Sequence, residues 1–98
     1  MSLSVIVRPE AEVDIQQVFS ELERTLPGMG RRFSVRLREV FERIEAMPQL
    51  HGVVWRDVRA VRLTQFRYVV YFIPFVDRVE VLAVLHSARD PAIWHSRT

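Results

Sequence analysis

The stretch YVVYFIPFVDRVEVLAVL, Tyr68 to Leu85, decides the fold. Two runs rich in valine, tyrosine and other strand-forming residues flank Pro74 and the turn Val76-Asp77-Arg78. They read as two antiparallel strands, Tyr68–Ile73 and Val79–Leu85. Neither YVVYFI nor VLAVL alternates apolar with polar residues, as a sheet covered on one face should. Both faces of these strands are therefore apolar, and each needs a cover.

Working backward, Val58 to Leu63 is a third strand with arginines interleaved, and the short spacings predict a meander. Earlier residues follow a helical period. Phe33, Leu37, Val40, Phe41, Ile44 and Met47 share one face of a helix that Pro48 ends. Its other face mixes arginine with glutamate, and Glu39 with Arg43 makes a favourable i, i+4 pair. Before it, Ala11, Ile15, Val18, Phe19, Leu22 and Leu26 mark another amphipathic helix. Pro9 suits its first position, and Glu10, Glu12 and Asp14 complement the helix dipole. Leu26-Pro27-Gly28-Met29-Gly30 turns the chain between the two helices, which form an antiparallel hairpin. Leu3, Val5 and Val7 alternate with Ser2, Ser4 and Arg8 in an opening strand.

The order β-α-α-β-β-β gives one α+β domain over residues 1–98, a helical hairpin laid on one face of a small, mainly antiparallel sheet. Two helices cover one face only. The other falls to the chain's own tail, a second copy or a partner protein, and an apolar face of that size favours the last two, a homodimer included.

Composition removes several classes of function. Cysteine is absent, which excludes zinc–thiolate sites, redox chemistry and disulfides. With 3 histidines and no patterned partner, no metal or other cofactor is expected. No apolar run approaches the roughly 20 residues that span a bilayer. No signal-peptide order opens the chain, so a cytoplasmic protein without membrane contact is expected. All 14 basic residues are arginine, which leaves lysine-based mechanisms without a residue. Residues 51–98 carry seven arginines against four acids, and Arg56, Arg59, Arg62 and Arg67 supply most of that excess. Such a stripe suits nucleic acid or an acidic protein, or equally a solvated edge strand.

The carboxyl segment VLHSARDPAIW, Val84 to Trp94, concentrates further chemistry. Asp90-Pro91 reads as a helix cap followed by proline at the first helical position. His86 at a strand end reads as a hydrogen-bonded structural residue, and Trp94 as a shield for a sheet edge. No serine–histidine–acid order, glycine-rich phosphate loop or paired-carboxylate spacing stands out.

With these elements placed, the chain resembles the RelE/ParE superfamily of type II (plasmid-stabilisation) toxins, most closely its ParE-like branch. The likeness runs through RPEAEVDIQQV, F-x-x-x-L at Phe33 to Leu37 and I-x-x-M-P at Ile44 to Pro48. It continues through VRLTQFRYVVYF at Val61 to Phe72 and the closing V-L-H-x-x-R-D-P-x-x-W. The resemblance implies a small toxin held inactive by a cognate antitoxin, with Tyr68, Val70 and Phe72 as expected antitoxin contacts. ParE-like toxins are associated with DNA gyrase, and RelE-like ones cleave messenger RNA on the ribosome; fold alone does not choose.

The residues favour gyrase. Ribonuclease work needs a base, an acid and phosphate clamps. Tyr68 stands where the nuclease strand has arginine, with Arg67 beside it, and the nuclease lysines have no counterpart. A substitute nuclease set would be His86 and His95 with Arg59, Arg62 and Arg89. The expected reading is a non-enzymatic toxin whose target-binding residues are Arg59, Arg62, Arg67, His86, Arg89 and Trp94. A ribosome-dependent endoribonuclease and a non-toxic relative that only binds its antitoxin are the alternatives.

Overall fold

A computed structural model describes residues 3–98 of the chain; Met1 and Ser2, the latter read above as part of the first strand, lie outside them. Strand β1 (Ser4–Val7) leads into helices α1 (Pro9–Thr25) and α2 (Met29–Ala46). A 3₁₀ turn at Pro48–Leu50 precedes β2 (Val53–Trp55), β3 (Val58–Arg62), β4 (Tyr68–Pro74) and β5 (Arg78–His86). The short helix α3 (Ala92–His95) follows. The expected α+β hairpin-on-sheet architecture is present, with α3 where the Asp90-Pro91 cap announces a helix and β2 in addition. At three residues β2 is too short to show a period.

The five strands lie in the order β1-β5-β4-β3-β2. Only β1 with β5 is parallel: the helical hairpin carries the chain from β1 to β2 at the opposite edge, and the meander brings β5 back beside β1. The three remaining pairings are antiparallel.

Phe33, Leu37, Val40 and Ile44 of α2 and Ala11 and Val18 of α1 pack on Val61, Leu63, Val70, Phe72, Val79, Val81 and Val84. Close approach of the helices fixes the hairpin. A Cβ on Gly30 would stand 2.9 Å from the Phe19 carbonyl oxygen, and Gly28 turns the chain at φ +95°. The Glu23 carboxylate of α1 accepts from the N–H groups of Gly28 and Gly30 at 3.0 and 2.9 Å, satisfying donors that open α2. Phe19 and Leu26, read as core, remain partly exposed at the outer end of the hairpin. Glu39 pairs with Arg36 at 3.0 Å rather than with Arg43.

The non-alternating VLAVL has a local cause. Tyr71 stands opposite Ala83 and Phe72 opposite Val81, so Leu82 is an extra residue in β5. The bulge turns both Leu82 and Ala83 to the face away from the hairpin. There they join Val58, Leu85 and Trp94 in a second core, bordered by Trp55, Tyr71, Ile73 and Ile93. The chain's own tail, one of the three covers expected for it, therefore lies over the second face. Trp94 is 5% exposed. Its ring stacks on Tyr71 at 4.5 Å and meets Trp55 edge-on at 6.0 Å.

Candidate functional site

Strand alternation sorts the candidate residues between the two faces. Arg59 is opposite Phe72, on the hairpin side, whereas Arg62 is opposite Val69, on the side of the tail. The arginine stripe of the sequence is thus split. Arg59 turns inward and donates to the carbonyl oxygens of His51 at 2.6 Å and Gln49 at 3.4 Å, holding the connection after α2 against β3. The ring of His51 meets Phe72 edge-on at 5.8 Å. Burial lowers its pKa from the ordinary value, and the guanidinium groups of Arg43 and Arg59 add to that shift. Arg56 occupies the β2–β3 turn at φ +51°, its guanidinium 4.3 Å from the centre of the Trp55 ring.

His86 is opposite Tyr68, and both face the hairpin side; their rings meet edge-on at 5.6 Å. The backbone N–H of Ala88 donates to His86 Nδ1 at 3.0 Å. That bond puts the proton of the neutral ring on Nε2, leaving no free lone pair for a general base. His95 sits on the opposite side of the sheet, stacked on Trp55 at 4.0 Å. The nuclease-like set is therefore divided: His86 and Arg59 on the hairpin side, Arg62 and His95 on the other.

Two recesses flank Tyr68 at one end of the sheet. The larger, about 760 Å³, runs between α1 and the end of β5 and includes Gln17, Glu21, Arg24, Tyr68, His86 and Arg89 in its walls. The smaller, about 320 Å³, is lined by Arg62, Phe66, Arg67, Tyr68, Val69 and Ser87. Tyr68 borders both; Arg62 and Arg67 line the smaller and Arg89 the larger, and the three are taken together as a basic rim. None of the three has a carboxylate partner among the described residues, in contrast to Arg8, Arg36, Arg78 and Arg97. Burial raises the Tyr68 phenol above its ordinary pKa, and the Glu21 carboxylate adds to the shift, so the hydroxyl stays a neutral donor.

The other expected contacts are placed differently. Val70 and Phe72 are fully buried beneath the hairpin, and Trp94 lies beneath its own strap of chain, so none presents a surface to a partner. Asp90 caps as its sequence predicts, accepting from the Ala92 N–H at 2.9 Å. The sequence reading missed Arg97, which pairs with Asp14 at 2.6 Å across 83 positions and leaves no local pattern. Among the described residues no cluster of histidine or acidic side chains is arranged to hold a metal, and no helix is long and apolar enough to cross a membrane.

A helical hairpin on a five-stranded sheet of this order, ending in a short capped tail, defines a RelE/ParE-type toxin fold. A chain from a solved structure described as "Chromosomal ParDE TA system from P. aeruginosa" superposes with a TM-score of 0.76 at 11% identity, covering 87% of this chain and 96% of that one. At that identity the likeness concerns the fold. The family described as "ParE toxin of type II toxin-antitoxin system, parDE" matches residues 5–91. The chain belongs to the ParE toxin family. No curated protein sequence matches it.

Proposed function

We propose that this ParE-family protein is neutralised by a cognate antitoxin and, when free, arrests growth in the cytoplasm by binding DNA gyrase, with no chemistry of its own. The observation that carries the reading is the basic rim of Arg62, Arg67 and Arg89, which no acid among the described residues engages. Unpaired arginines on a recessed edge suit an acidic protein surface or DNA phosphate. The division of the nuclease-like residues between two faces supports binding over cleavage, as does the occupied lone pair of His86. The groove between α1 and β5 is the favoured seat for an antitoxin segment, with exposed Val13 and half-buried Tyr68 in its walls.

Induction of the chain alone is expected to stop growth, and co-expression of the antitoxin encoded beside it to restore growth. The absence of arrest would leave a relative that only binds its partner. Purified protein is expected to block gyrase supercoiling, or to trap cleaved DNA, while leaving ribosome-bound message whole. Codon-specific cuts in that message would replace this reading with a ribosome-dependent endoribonuclease.

A further inference from the structure

Beyond Val81, where β1 stops pairing, β5 runs on with an open outer edge. Charged side chains complete its hydrogen bonding. Arg97 Nη1 donates to the Leu82 carbonyl at 3.0 Å, and Asp14 Oδ2 accepts from the Val84 N–H at 3.1 Å. The two residues also bond each other, Nη1 to Oδ2 at 2.6 Å and Nη2 to Oδ1 at 3.3 Å. Behind them Arg8 donates to the Arg97 carbonyl at 2.7 Å and, through Nε, to Glu80 at 2.9 Å. Asp14 is 7% exposed, so this ion pair is shielded from water and salt far better than a surface pair.

We propose that Asp14 and Arg97 are a latch, and that residues 90–98 are a strap which it holds closed over the aromatic face of the sheet. Backbone hydrogen bonds within the strap are all local: Ile93 to Asp90, His95 to Pro91, Ser96 to Ala92, Arg97 to Trp94 and Thr98 to His95. No strap amide joins a strand. Attachment therefore rests on the Trp94, Ile93 and His95 side chains, the latch and the single bond from Arg8. The closed position also carries a cost. The buried Trp94 Nε1 has no well-formed hydrogen bond, only a poorly aligned contact with the Tyr71 hydroxyl, a deficit that opening to water would relieve. Opening uncovers buried Leu82 and Leu85 and widens the exposure of half-buried Tyr71 and Ile73, all of them apolar contacts of the strap.

The backbone fixes the polarity of the latch. Val84 offers a donor and needs an acceptor at position 14, whereas Leu82 offers an acceptor and needs a donor at position 97. Exchanging the two charges keeps their mutual attraction but leaves both backbone groups facing the wrong partner. Asp14 also lines the α1–β5 groove, so the groove and the strap meet at this residue.

Residue-resolved hydrogen exchange on the full chain tests the latch. Asp14→Asn, and the exchanged pair Asp14→Arg with Arg97→Asp, are expected to speed exchange at His95, Ser96, Arg97 and Thr98 by at least about tenfold. The amides of β4 that pair with β3 should keep their protection. Tryptophan emission should move to the red as the strap opens. Arg97→Lys, which keeps the charge but not the two-pronged geometry, should fall between wild type and Asp14→Asn, and it serves if the harsher variants do not fold. Wild-type exchange in the strap of these variants would overturn the proposal. So would an exchanged pair that protects as well as wild type, or loss of protection in strap and sheet together.

Discussion

The two faces of the sheet are closed by different physical means. On the hairpin side, two amphipathic helices bury a continuous core of mostly aliphatic residues, with Phe33 fully buried against Phe66 and Tyr68 at ring separations of 6.1 and 5.7 Å. On the other side a helix of four residues covers the sheet with one tryptophan, flanked by stacked rings and held by an ion pair. The first cover gains from apolar area spread along two long elements. The second depends on a few directional contacts, so single substitutions should act on it selectively.

The comparison breaks most visibly if its two aromatic anchors prove equivalent. Phe33→Ala should cost about 3–5 kcal/mol in denaturant unfolding, a large share of the stability of a domain this size. Trp94→Ala should cost less, about 2–3 kcal/mol, because truncation also removes an unsatisfied indole N–H. Equal losses would erase the distinction between the faces. Trp94→Phe sharpens the point. It keeps the stacked ring and deletes the orphan donor, and its effect should stay within about 1 kcal/mol of zero.

Arg59→Ala comes next in size. Loss of its charge-assisted bonds to Gln49 and His51 should cost about 1.5–3 kcal/mol. The same change should raise the His51 pKa toward its ordinary value in an NMR titration, since one of two repelling cations is gone.

The smallest effects are those of pH, and they separate the faces again. The folded-state pKa of His51 is depressed, so the unfolded chain binds more protons between that value and about 6.5. Stability should fall as pH drops through this window and then level off. Glu80, on the side of the tail, is held below the ordinary carboxylate range by hydrogen bonds from Arg78 and then Arg8. Its contribution should be complete above the unfolded value of about 4.3 and fade as pH falls through the folded one. Thermal unfolding across pH 3–8 should show two steps, the upper lost in His51→Gln and the lower in Glu80→Gln.

How much of this was legible follows from the same contrast. Helix period marked α1 and α2 to their ends, and YVVYFI with VLAVL gave a hairpin whose two faces both needed cover. The bulge at Leu82 was not legible, since an extra apolar residue in an apolar run changes no pattern. Nor was the inward turn of Arg59, because alternation shows which residues share a face but not which face is the core. Asp90 could be read because capping is local, whereas Asp14 with Arg97 could not, because their contact spans the chain. Of the rim, Arg62 and Arg67 were named from the charge stripe and Arg89 from the closing motif; Tyr68 borders the recesses that they line.

The functional claim rests on that rim, and gyrase supercoiling measured in the presence of purified protein tests it most directly. Wild-type protein should inhibit, and the triple variant Arg62→Ala, Arg67→Ala, Arg89→Ala should not, while keeping wild-type circular dichroism. Equal inhibition by both proteins, or no inhibition by wild type alongside cleavage of ribosome-bound message, would contradict the account.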